Sequence, residues 1–97
     1  MGDDGGGEEA FRAGLSDALT RLNEALAREI GPENTKQVAE YIEHHEFGLA
    51  LELIVALFRR HGLDGRPYEG DVEALFRKMG MGDSEYASEW RKHLGEA

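Results

Sequence analysis

The chain has 97 residues, with 20 acidic against 11 basic side chains, a formal charge of −9 and 40% hydrophobic residues. One domain of roughly 100–150 residues is the natural size for such a length, so a second independent core is excluded. Free nucleic acid and anionic membrane are poor partners for so acidic a chain, and a basic protein surface is a better one.

The first seven residues, with four glycines and no apolar periodicity, read as a flexible acidic tail (1–7) ahead of a single helical domain (8–97). From Phe11 the apolar residues Leu15, Leu19, Leu22, Leu26 and Ile30 follow at steps of three and four, one stripe on a first helix. Asp17 with Arg21 and Glu24 with Arg28 are spaced for ion pairs along it, and Gly31-Pro32 stops it.

A second helix starts either at an Asn34/Gln37 capping box or with Pro32 as its first helical residue. Its apolar side is Val38, Tyr41 and Ile42; Glu33, Glu40 and Glu43 form an acidic ridge opposite. A break near His45 to Gly48 separates it from a third helix, Leu49 to His61. That helix is apolar nearly all round, which places it in the centre of a bundle, and Gly62 closes it in the left-handed conformation.

After a Gly- and Pro-punctuated loop, Asp71 is placed to cap a fourth helix with Val72, Leu75, Phe76 and Met79 facing inward. A fifth runs through Tyr86, Trp90 and Leu94. The fold class expected is all-α, a compact antiparallel bundle of four to five helices.

Motifs for catalysis and metal binding fail on spacing. His45-Glu46-Phe47-Gly48 is followed by Leu49, not the second histidine of a zincin, and adjacent His44 and His45 point about 100° apart on a helix. The absence of cysteine removes thiolate nucleophiles and Cys-bearing zinc sites. Gly5-Gly6-Gly7 follows no strand, the loop from Asp64 to Glu73 puts Arg66 and Tyr68 where calcium ligands belong, and no strained elbow surrounds Ser16, Ser84 or Ser88. The expectation is no catalytic residues, no metal and no cofactor. Glu52, a lone charge in an apolar helix, reads as an edge residue reaching solvent or a basic partner. The start of the chain is acidic rather than basic-then-apolar, and the stretch Leu49 to Phe58 falls far short of the ~20 apolar residues that span a bilayer. A cytoplasmic location is expected.

The segment Glu40-Tyr41-Ile42-Glu43-His44-His45-Glu46-Phe47-Gly48-Leu49-Ala50-Leu51-Glu52-Leu53-Ile54 resembles the signature of small bacterial immunity proteins of polymorphic toxin systems, particularly the Maf type. His44-His45 stands where a glycine is common in that signature. The resemblance implies a cytoplasmic, all-helical antitoxin that binds the toxic domain of a partner, often a nuclease, and blocks its active site.

On this reading the partner is a cognate toxin domain with a basic cleft, and the binding residues expected are Glu40, Glu43, Glu46, Tyr68 and Asp71, with no direct contact to nucleic acid or membrane. The alternative is a non-catalytic helical scaffold or adaptor, monomeric or homodimeric, whose apolar surplus in the third helix is covered by a partner helix.

Overall fold

The computed structural model describes the backbone of residues 3–96 and the side chains of residues 7–96. Five helices follow in order: α1 (Asp3–Ile30), α2 (Pro32–Glu43), α3 (Phe47–Arg60), α4 (Glu69–Lys78) and α5 (Glu85–Glu96), with a 3₁₀ turn, Arg66–Tyr68, leading into α4. There is no strand among the described residues, and the chain forms a helical bundle.

The first helix reaches further towards the N-terminus than its composition suggests. Residues 3–7, assigned above to the tail, continue α1, while Met1 and Gly2 lie outside the described residues. Extending a formed helix adds a hydrogen bond for each residue ordered, so glycine lowers the gain without preventing extension. The apolar stripe is buried at Leu15, Leu19, Leu22 and Leu26, but Phe11 is 49% exposed and every side chain from Gly7 to Gly14 faces solvent. Phe11 therefore stands on a part of α1 that runs past the bundle, because α1 has 28 residues and the helices it packs against have 14 or fewer. The ion pairs spaced for Asp17–Arg21 and Glu24–Arg28 do not form, and among the described residues the one on α1 is Glu8–Arg12 at 2.8 Å. Exposed pairs of this kind compete poorly with water.

Pro32 begins α2 after Gly31, whose φ of 92° suits a residue without Cβ, and Asn34 donates from Nδ2 to the Ile30 carbonyl at 2.6 Å instead of capping. Helices α2, α3 and α4 end alike. In each, the N–H of the left-handed residue bonds the carbonyl three back and the next N–H bonds the carbonyl five back: His45 and Glu46, Gly62 and Leu63, Gly80 and Met81. Two of the three left-handed residues are glycine; the third is His45, at φ 58°.

Helix α3 touches all four other helices and buries Phe47, Ala50, Leu51, Ile54, Val55, Leu57 and Phe58, as a central helix should. It is not enclosed all round: Leu49, Glu52, Leu53 and Ala56 stay partly or fully exposed along one side.

Asp71 does not cap α4. The 3₁₀ turn feeds directly into the helix and is itself started by Asp64, whose Oδ1 accepts the Arg66 N–H at 3.0 Å, leaving Asp71 exposed in the first turn of α4 beside the positive end of the dipole. Ser84 caps α5 by accepting the Ala87 N–H at 3.2 Å. The buried face of α5 is Ala87, Trp90 and His93, with Tyr86 and Leu94 half-buried at its margins.

Candidate protein-binding surface

Of the acidic ridge, Glu33 is exposed in the first turn of α2, while Glu40 and Glu43 lie at its far end, where α2 meets α3. Glu40 and Glu43 are exposed on the last turns of α2, and Glu46 is exposed in the turn that His45 makes possible. None of the three takes part in an ion pair or a side-chain hydrogen bond among the described residues, where the ion pairs are Glu8–Arg12, Arg59–Glu89 and Glu73–Arg91. Their carboxylates are available to an incoming cation.

The other two expected contact residues sit elsewhere. Tyr68 is half-buried with its ring 5.6 Å from that of Phe58, near the C-terminal end of α3, and Asp71 is on the adjoining turn of α4. At 1.5 Å rise per residue, Phe58 is roughly 16 Å along α3 from Phe47, which neighbours Glu46. The five residues therefore form two groups at opposite ends of the central helix. The spacing of sequence motifs could not reveal this, since it depends on α3 carrying the chain from one end of the bundle to the other.

Tyr68 is committed to the interior on one side. It joins an aromatic cluster in which Phe58 meets Trp90 edge-on at 5.2 Å, and the fully buried Trp90 indole leaves no room for a side chain at Gly65. His93 completes this end of the bundle: its Nε2 is 2.7 Å from the Leu63 carbonyl, which can only accept, so Nε2 carries the proton. Among the described residues His93 is one of the two buried polar ones, and only the packing shows it turned inward.

Acidic residues of α4 divide in use. Glu73 receives two hydrogen bonds from Arg91, from Nε and Nη2, each 2.9 Å, while Nη1 donates to the Gly82 carbonyl at 3.1 Å. The hydrogen bond from Arg91 lowers the Glu73 pKa, overcoming the opposing effect of partial burial, and the same bond raises that of Arg91. This carboxylate ties α4 to α5 and is spent within the fold.

An open groove of about 210 Å³ lies on the uncovered side of α3, lined by Tyr41 of α2, Leu49, Glu52, Leu53 and Ala56 of α3, and Tyr86 of α5. The α3 residues fall at i, i+3, i+4 and i+7, one stripe of a helix. That spacing was readable in the sequence, but which stripe of an almost wholly apolar helix is left uncovered was not.

His44 and His45 are both exposed at the end of α2, and no group of three or more His, Asp or Glu side chains placed to hold a metal occurs among the described residues. Nor is any described helix long and apolar enough to cross a membrane.

The architecture defines an all-α bundle of five helices with an acidic corner and an apolar groove. No protein-family model matches the chain, and neither the curated proteins nor the solved structures give a significant match.

Proposed function

We propose that the chain is a non-catalytic, cytoplasmic binding protein of the immunity-protein kind, which neutralises a cognate toxin domain by setting its acidic surface against a basic cleft, such as that of a nuclease. The observation that carries this reading is the corner formed by Glu40, Glu43 and Glu46, whose carboxylates are exposed and unpaired among the described residues. Charge arranged in this way accelerates encounter with a basic partner and discriminates against acidic ones. The resemblance of residues 40–54 to the Maf-type immunity signature includes this corner and supports the same reading.

The test is co-expression of the chain with a candidate toxin domain from a neighbouring reading frame, scored as cell survival. Reversing both Glu40→Lys and Glu43→Lys abolishes protection and slows association, while the melting temperature shifts by no more than several degrees, as expected for exposed residues. Undiminished protection by a folded double variant would refute the acidic-corner mechanism.

The uncovered stripe of α3 favours a second reading, the scaffold whose α3 is covered by a partner helix. Sedimentation separates a self-associating scaffold, which runs as a dimer, from a lone inhibitor.

A further inference from the structure

The groove between α2, α3 and α5 combines two properties that a merely solvated helix face lacks. Its floor is apolar, with Leu49 42% exposed and Leu53 and Ala56 partly so, and its polar groups are unused. Glu52 makes no ion pair or side-chain hydrogen bond among the described residues, and the hydroxyls of Tyr41 on α2 and Tyr86 on α5 make none either. Tyrosine flanking an apolar floor is the composition of protein-binding hot spots, where a rigid ring supplies contact area and the hydroxyl fixes register.

Its volume falls below the range of about 300–1,000 Å³ typical of small-molecule sites and suits one or two anchoring side chains. Charge selects the occupant. A second copy docking through a two-fold axis would bring the same patch against itself, setting Glu52 near its symmetry mate between two chains that each carry −9. A partner segment with a Lys or Arg beside apolar residues instead supplies the cation that Glu52 lacks while covering Leu49, Leu53 and Ala56.

We propose that this groove is a docking cleft for a basic, apolar helical segment of a partner protein, with Glu52 receiving the cation and Tyr41 and Tyr86 clamping the segment. The inference rests on the reading of the chain as a protein-binding domain. It adds a second contact region and supplies the apolar anchor that the acidic corner does not contain.

The probe is a synthetic amphipathic peptide of Lys and Leu at helical spacing, about four turns long, titrated into the isotope-labelled full chain and followed by NMR. The expected result is saturable binding with amide shifts concentrated at residues 49–56 and at Tyr86. Glu52→Lys and Leu53→Ser should each weaken binding about tenfold or more. The charge-matched change Glu24→Lys, at an exposed position on α1, weakens it by about threefold at most, since only screened long-range attraction is lost. Thermal melts of each variant confirm folding.

Four results would overturn the cleft: no binding; equal binding of a Glu and Leu peptide with the same apolar pattern; equal effects of Glu52→Lys and Glu24→Lys with shifts centred on residues 40–46; or a dimer of the chain alone that Leu49→Lys dissociates. The third would leave the acidic corner standing. Conversely, protection unaffected by the Glu40 and Glu43 reversals but abolished by Glu52→Lys would sink the corner and retain the cleft.

Discussion

Replacing His45 by glycine should stabilise the protein, although it deletes a side chain that packs on Phe47 with ring centroids 5.3 Å apart. His45 closes α2 at φ 58°, in the same hydrogen-bonded arrangement that Gly62 (φ 61°) and Gly80 (φ 68°) provide for α3 and α4. A left-handed conformation costs a residue with Cβ roughly 1–2 kcal/mol, towards the lower end for histidine, which visits this region more readily than most residues. Glycine removes that cost but gives the unfolded chain more freedom, offsetting about 0.4–1 kcal/mol. Since His45 is exposed, loss of its stacking subtracts little, and the net gain is about 0.5 kcal/mol. For a domain of this size that raises the melting temperature by about 2–4 °C.

The assay is a reversible thermal melt of His45→Gly followed by circular dichroism, with Gly62→Ala as the mirror experiment. The alanine must take up the left-handed strain and should lower the melting temperature by several degrees. A lower melting temperature for His45→Gly would refute the reasoning and show that the imidazole contributes more to the turn than its backbone strain removes.

Two further outcomes follow from the packing. Gly65→Ala places a Cβ within 2.6 Å of the buried Trp90 ring and should destabilise the fold by about 1–3 kcal/mol through overpacking, measurable by urea denaturation. Glu73→Gln tests the Arg91 link: because the Glu73 pKa is lowered below the ordinary glutamate range in the folded protein, its contribution is fully present above that range and is lost as pH falls through the depressed value. The wild type should therefore lose stability more steeply than Glu73→Gln below about pH 4.5, and parallel acid limbs in a pH series of melts would exclude the link.

The helices themselves were legible in the sequence because apolar spacing and terminating glycines are local signals. The stripe from Leu15 to Leu26, the left-handed closure at Gly62, and the inward residues Val72, Leu75 and Phe76 all occur as those signals direct. Signals that needed a neighbour were misread. Phe11 continues the stripe in spacing, but it stays 49% exposed, outside the buried core; Asp71 has the chemistry of a cap, but Asp64 starts the turn that precedes α4.

Composition and periodicity by themselves determined an acidic, all-helical domain and identified the carboxylates of α2 as a group. Tertiary structure decided their company. It put Tyr68 and Asp71 at the far end of α3, spent Glu73 on Arg91, turned His93 towards Leu63 and left Glu52 without an ion-pair partner among the described residues, in a groove lined by two tyrosines. The physical reason is that helix formation depends on residues three or four apart, whereas burial and pairing depend on which distant face packs opposite. A helix as uniformly apolar as α3 carries no local mark of the side its neighbours will leave open.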